Sequence, residues 1–405
     1  MERFALSRMK EWKENENRKP LIIRGARQVG KTWIMKTFGQ QYFEKTAYVN
    51  FDNNARMKQV FEGDLDIERL VLAISAETGV SIEAENTLII FDEVQEVPKA
   101  LTSLKYFHEN APQYAIVAAG SLLGVALHQG TSFPVGKVDF LDLYPLNFRE
   151  FLCAMGEKQF VSMLDSCDTQ MVTVFKTKYI ERLREYYFVG GMPEVVKDFS
   201  EKKDYNRVRA IQKNLINYYQ QDFSKHAEIK LVPRLNLVWN SIPMQLAKEN
   251  KKYIYGQVRE GSRAKDFELA IQWLLDCGLI HKVQRIQKPD LPLKAYIDFD
   301  AFKLFLVDIG LLIAMTDLDA KVIIEGNKIF TEFKGSLTEQ YILQQLISDV
   351  GVIPYYYSTQ NSKGEIDFLV QGKTSVIPIE VKAEENLKAK SLKAFCEKYQ
   401  PSYAV

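Results

Sequence analysis

Eight residues near the start of the chain, Gly25-Ala26-Arg27-Gln28-Val29-Gly30-Lys31-Thr32, carry the spacing G-x-x-x-x-G-K-[ST]. Glycines at both ends, lacking a Cβ, let backbone N–H groups curl around phosphate oxygens. Lys31 is then placed to reach β- and γ-phosphates, and the Thr32 hydroxyl to hold Mg²⁺. A helix beginning near Lys31 aims the positive end of its dipole at the same anions. Leu21-Ile22-Ile23 before the loop and the helix-compatible residues 33–38 after it give the strand–loop–helix setting this chemistry needs.

A second set closes the run Leu88-Ile89-Ile90-Phe91-Asp92-Glu93. Four apolar residues read as a buried strand of a parallel sheet, with two carboxylates at its C-terminal end. Ligands of open α/β sheets bind at the carboxyl ends of strands, where the glycine loop also lies. Asp92 would hold Mg²⁺ through water and Glu93 would polarise an attacking water, which implies hydrolysis rather than binding alone. Ser121 follows the apolar strand 115–119 and has two readings. It is either a polar group sensing the γ-phosphate or the N-cap of a helix over 122–127.

A third set lies toward the C-terminus. Glu339 falls on a helix read over 335–346, Asp367 on a segment at 364–370, and Glu380-Val381-Lys382 at the end of a strand over 375–382. Alternate residues of a strand share a face, so Glu380 and Lys382 point the same way. With Asp367 from the neighbouring strand, two carboxylates can bind Mg²⁺ and one ammonium can orient or deprotonate water. A salt bridge between edge strands would use the same residues. Lys282, Arg285 and Lys288 lie on a basic hairpin, with Arg259, Arg263 and Lys265 nearby. They either contact DNA phosphates or simply solvate an exposed hairpin.

The elements that must position these residues alternate through the first third. Strands read at 21–24, 47–51, 87–91, 115–119 and 138–143, and helices at 32–38, 65–78 and 99–110. That alternation implies a parallel sheet of right-handed βαβ units, an α/β nucleotide-binding domain over residues 1–150. A helical lid or connector is expected over 151–225, where a helix at 181–188 stops at Gly190-Gly191-Met192-Pro193 and a new one starts. Residues 226–300 read as a helix at 231–248, a short strand at 253–255, a helix at 264–277 and a hairpin of 279–286 with 295–299. That order is the one a winged helix uses. Residues 301–405 form the last α/β domain, with a further strand at 352–357. The sequence ends at Tyr403-Ala404-Val405 in a strand-like stretch, so the last domain is expected to lack its final elements.

The 405 residues hold 53 Lys and Arg against 52 Asp and Glu, for a net charge of +1. No global field therefore draws the chain to nucleic acid, and any such contact must come from a local patch. Cys153, Cys167, Cys277 and Cys396 are scattered, as are His108, His128, His226 and His281, so neither disulfides nor a zinc site is expected. The charged residues 1–20 lack a signal-peptide core, and no apolar run reaches the length of a membrane span. A cytoplasmic protein with no membrane partner is expected.

Taken in one order, the Gly25 loop, the strand ending in Asp92-Glu93, the Gly190-Gly191-Met192-Pro193 turn and residues 364–370 resemble a known family. It comprises bacterial and archaeal AAA-type ATPases that carry a C-terminal domain of unknown function. The resemblance spans nearly the whole chain. It implies ATP and Mg²⁺ as cofactors and an ATPase core with a strand inserted between the two motif strands. It also implies a helical and winged-helix middle and a restriction-endonuclease-like end. In that nuclease superfamily the working set is an acid on the first helix, an Asp on the second strand and E-x-K on the third. Glu339, Asp367 and Glu380-x-Lys382 match it residue by residue. Gly136-Lys137 stands where the family pattern has Gly-Arg, so no arginine finger is assigned, with Arg149, Arg207 and Arg209 as candidates.

The expected activity is Mg²⁺-dependent ATP hydrolysis that moves the middle and C-terminal domains, with DNA or a protein as macromolecular partner. Two alternatives stand beside it. One is an ATP-gated nuclease in which Glu339, Asp367, Glu380 and Lys382 cut DNA. The other is a non-enzymatic switch that binds ATP to expose a docking surface.

Overall fold

Short apolar runs separated by amphipathic helices build the first of two units, Met1–Tyr144 with Asp276–Gly278. The computed structural model describes residues 2–120, 134–248, 251–325, 331–359, 364–383 and 389–405. In chain order this unit holds α1 (Ala5–Glu14), β1 (Leu21–Arg24), α2 (Lys31–Tyr42), β2 (Lys45–Asn50) and α3 (Ala55–Glu62). It continues with α4 (Ile67–Thr78), β3 (Thr87–Asp92), α5 (Pro98–Asn110), β4 (Ala115–Ala119) and β5 (Asp139–Asp142).

The five strands pair in parallel in the order β2-β3-β4-β1-β5. β4 thus lies between the two motif-bearing strands, as the family pattern implies. β3 and β4 are buried along their whole length, which is why they read as continuous apolar runs without alternation. Phe51, Phe61 and Phe91 meet edge to face with ring centroids 5.3 to 5.6 Å apart. Each such pair adds about 1 kcal/mol beyond its area burial. Asp66 caps α4 by accepting from Arg69 N at 2.9 Å, and Pro98 occupies the first turn of α5, where its missing N–H costs nothing. α1 and α3 do not show in the sequence pattern. Each buries only two side chains (Met9 and Trp12, Met57 and Phe61), too narrow a face to register as periodicity.

The second unit, Pro145–Leu275 with Leu279–Val405, starts as a run of helices. These are α6 (Phe148–Ala154), α7 (Lys158–Asp165), α8 (Thr169–Val174), α9 (Lys176–Val189), α10 (Pro193–Lys202), α11 (Tyr205–His226), α12 (Val232–Leu246), α13 (Tyr255–Val258) and α14 (Ala264–Asp276). Then follow β6 (Ile280–Ile286), β7 (Ile297–Leu306), α15 (Ile309–Met315), α16 (Ala320–Ile324) and α17 (Thr331–Gln345). The described chain continues with β8 (Tyr355–Ser358), β9 (Glu365–Gln371), β10 (Val376–Ile379) and α18 (Lys390–Tyr399).

The Gly190-Gly191 turn is fastened to the start of α15. Gly190 has φ +74°, and a Cβ there would sit 2.2 Å from Asp308 Oδ1. Gly191 N donates to Asp308 Oδ2 at 2.6 Å, while Leu311 N donates to Oδ1 at 3.1 Å and so caps α15. α17 contributes a row of amides to the same region. Gln340 pairs with both backbone groups of Leu306 at 3.0 and 2.7 Å. Gln344 accepts from Ile309 N at 3.1 Å and donates to Tyr186 Oη at 2.9 Å.

Four expectations change here. The strands of the basic hairpin, β6 and β7, belong to a five-stranded mixed sheet ordered β10-β9-β8-β6-β7, with β6 parallel to β8. The domain boundary expected at residue 300 falls inside β7, an edge strand of that sheet whose stretch from Ala301 to Leu306 is buried. Residues 253–255 make one backbone bridge, Tyr253 N to Phe302 O at 2.8 Å, and Tyr255 opens α13 instead. The strand expected over 375–382 leaves its ladder after Ile379, because Glu380 N bonds Val405 O at 2.8 Å and Val381 N bonds the Asp367 side chain. No helix among the described residues is long and apolar enough to cross a membrane.

Candidate active site

β1 ends at Arg24, and the chain turns through Gly25 at φ +144°, Gln28 at φ +65° and Gly30 at φ +94° before α2 begins at Lys31. A Cβ on Gly25 would lie 2.1 Å from Leu143 O, so the loop is built for glycine there. The far side of the loop is fixed by Arg3, whose Nη1 donates to Val29 O at 3.0 Å and Nη2 to Tyr144 O at 2.6 Å. Lys31 is buried, and its Nζ donates to Gly25 O at 2.9 Å and Ala26 O at 2.7 Å. Burial lowers its pKa from 10.5 to about 8, although the Glu93 and Asp92 charges pull it upward.

At the end of β3, Asp92 is buried and gathers three donors. Thr32 Oγ1 lies 2.7 Å from its Oδ2, Tyr48 Oη 2.9 Å from the same oxygen, and Glu93 N 3.1 Å from Oδ1. Burial, and then the adjacent Asp92 charge and hydrogen bond, push the Tyr48 phenol well above its ordinary value. Glu93 adopts the left-handed region at φ +51° and accepts from Gln95 Nε2 at 2.7 Å. A non-glycine residue there costs about 1–2 kcal/mol, the kind of strain that clusters at functional sites. Ser121 lies outside the described residues, although β4, which leads to it, does lie beside β3.

Tyr48 and Arg3 reach Asp92 and the glycine loop without being marked by the sequence. A tyrosine inside a strand reads as a β-former, and only the pairing of β2 with β3 reveals its reach to Asp92. Arg3 sits in a charged segment with no pattern to single it out.

The C-terminal residues also come together. β9 and β10 are antiparallel neighbours with Ile379 opposite Phe368, so Glu380 follows directly beside Asp367. Val381 N donates to Asp367 Oδ2 at 2.7 Å, Glu339 shares a side-chain hydrogen bond with Asp367, and Lys382 pairs with Glu380. Two lysines outside the expected set join them. Lys303 on β7 is fully buried, pairs with Glu365 and lies 3.6 Å from Glu339 Oε2. Lys251 pairs with Glu339 Oε1. Burial, reinforced by the Glu339 charge, raises the Asp367 carboxyl to about 8. Burial also works to raise Glu339, but Lys303 and Lys251 outweigh it and hold that carboxyl below its ordinary value. Among the described residues, no group of three or more His, Cys, Asp or Glu is arranged to hold a metal ion.

The hairpin cations turn onto their own sheet. Lys282 Nζ lies 4.3 Å from the centre of the Phe302 ring, Arg285 Nε donates to Asp298 Oδ2 at 2.9 Å, and Lys288 pairs with Asp290 at 2.8 Å. The arginine-finger candidates have intramolecular partners as well. Arg149 meets Asp349 at 3.1 Å, Arg207 meets Asp198 at 3.1 Å, and Arg209 bonds Gln212 at 3.3 Å over the Phe188 ring.

Comparison with known proteins gives three matched segments. An AAA domain matches residues 17–152. A domain of unknown function (DUF8612) matches 180–322, and another (DUF4143) matches 334–405. No curated protein matches the chain. Among solved structures, the Walker-type ATPase Paby2304 of Pyrococcus abyssi is 15% identical, over 78% of this chain and 95% of its own, with a TM-score of 0.48. ORC1 of Aeropyrum pernix in complex with DNA is 13% identical over 77% and 91%, with a TM-score of 0.29. The RuvB Holliday junction branch migration motor of Thermotoga maritima is 10% identical over 68% and 87%, also at 0.29. The AAA-domain match falls on the sheet, glycine loop and acidic strand end described above. The chain carries an AAA-type P-loop ATPase domain and a C-terminal domain of unknown function.

Proposed function

We propose that the chain binds and hydrolyses ATP with Mg²⁺, and that this cycle rearranges its helical and C-terminal elements. The observation that carries the proposal is the 2.7 Å approach of the Thr32 hydroxyl to Asp92 beside the buried Lys31. Hydroxyl and carboxylate oxygens are the hard donors Mg²⁺ takes, together with water and phosphate oxygens, so this pair fits the ion. Bound Mg²⁺ would supply positive charge against the phosphates. Thr32 would be its protein ligand, with Asp92 held in place by Tyr48 and reaching the ion through water. Gly25, Ala26, Arg27, Gln28, Val29 and Gly30 would offer backbone N–H groups, and Lys31 would exchange its two carbonyl partners for β/γ-phosphate oxygens. Glu93 would orient the attacking water. Ser121 is retained as a γ-phosphate sensor.

DNA is the proposed macromolecular partner, through a winged helix formed by α12, α13, α14 and the β6–β7 hairpin, with Lys282 leaving the Phe302 ring and Arg285 leaving Asp298 to meet phosphates. The order of those elements supports that reading.

Lys31→Ala tests the core of the proposal, because it removes the ammonium but leaves the loop's glycines in place. ATP binding or turnover should be lost while the circular dichroism spectrum is unchanged. Wild-type affinity together with wild-type turnover would overturn the phosphate-cradle assignment.

A further inference from the structure

A nuclease-like domain would hold a divalent ion among Glu339, Asp367 and Glu380, but the residues gathered here do not fit one. Lys303 already stands among the acids, paired with Glu365 and 3.6 Å from Glu339 Oε2. Its backbone is locked in β7, opposite Val283 of β6, and its Nζ lies 4.8 Å from the centre of the Tyr356 ring. The side chain is fully buried, so it has no solvent into which to swing.

Several of the remaining oxygens are committed in the same way, while Glu339 Oε2 and Glu380 Oε2 are buried without a hydrogen-bond partner. Glu339 Oε1 faces Lys251, Asp367 Oδ2 accepts from Val381 N, and Glu380 Oε1 faces Lys382. Four carboxylates (Glu339, Glu365, Asp367, Glu380) thus meet three ammonium groups (Lys251, Lys303, Lys382). A divalent ion entering this cluster would have to expel a buried ammonium or stand beside it uncompensated. Both are costly, because charge removed from water must be matched by partners at the same site.

We infer that Lys303 is the resident cation of this cluster in place of a divalent metal ion, and that the C-terminal domain is a metal-independent module. Its acids then serve as an internal ion-pair core that joins α17, β7, β9 and the segment after β10. Removing the ammonium should leave like charges facing one another and so create the metal demand that the native cluster lacks.

Full-length protein without nucleotide, titrated with Mn²⁺ and followed by the electron paramagnetic resonance signal of the free ion, tests this. Wild type and Asp367→Asn should bind the same number of ions, since any ion at Thr32 and Asp92 is common to both. Mn²⁺ should raise the Tm of neither relative to the other. Lys303→Met should melt lower in EDTA and recover with Mn²⁺, and adding Asp367→Asn should remove that recovery. An extra bound ion in wild type that Asp367→Asn abolishes would overturn the inference, as would an Asp367-dependent rise in wild-type Tm. Should Lys303→Met fail to fold even with Mn²⁺, the comparison of wild type with Asp367→Asn decides alone.

Discussion

Lys31 in the free protein is a cation held against its burial, and that gives the nucleotide site a pH signature. Its pKa is lowered to about 8, whereas a bound phosphate would restore the charge. ATP binding above that pH must therefore take up a proton. The Kd should be flat below about pH 7 and rise by up to about tenfold per pH unit above 8, as read by isothermal titration. A flat profile up to about pH 9.5 would mean that Lys31 does not carry the phosphate. Lys31, Thr32 and Asp92 are legible in the sequence because their spacing is set by chemistry within short segments. Tyr48 and Lys303 are not, since each acts across a sheet on residues far away in the chain. Lys303 also sits where the alternation of β7 would be expected to place an apolar side chain.

At the scale of elements, the junction of the Gly190-Gly191 turn with α15 turns on one buried carboxylate. Burial raises Asp308 from 3.8 to about 6, against the backbone donors that favour its charge. The folded state therefore binds more protons than the unfolded state between those values, and Asp308's contribution to stability grows as pH falls through that window. Measured against Asp308→Asn, which cannot titrate, wild type should gain roughly 2–3 kcal/mol between pH 7 and pH 4 in urea unfolding. The same variant should cost about 1–3 kcal/mol in its own right, because one backbone N–H then faces an amide donor. Parallel unfolding curves at both pH values would remove Asp308 from this role. The hairpin offers a second case. Lys282→Glu should weaken DNA binding and flatten its log–log salt dependence by about one unit for each phosphate no longer neutralised. Arg285→Glu should in addition lower the Tm, because it sets a carboxylate against the buried Asp298. Equal affinity and salt slope in both variants would leave these residues as sheet partners only. The hairpin is legible as two alternating strands, but its membership of the larger sheet is not, because β8 joins it from a distant segment.

For the whole molecule, the order of elements follows the sequence closely, but the sheet that each strand joins does not, since alternation marks strands and not their partners. Coupling between hydrolysis and the rest of the chain can be tested with Glu93→Gln. It should bind ATP with Mg²⁺, turn over at least roughly a hundredfold more slowly, and so accumulate the bound state. Hydrogen exchange within residues 145–405 should then differ between the ATP-loaded and nucleotide-free variant. Identical protection would leave a local ATPase with no transmitted motion. The strand order has a consequence for how the chain is made. β1 pairs on one side with β4 and on the other with β5, with Leu21 aligned to Val117 and to Asp139. During synthesis β1 emerges first and waits for both neighbours, while α2 and β2 have already left the ribosome. The phosphate cradle is therefore a late product of folding, closed by distant pairings that form slowly. Until β5 arrives, Leu21, Ile22 and Ile23 form an unpaired apolar edge on the nascent chain, and a holding chaperone would find its target there.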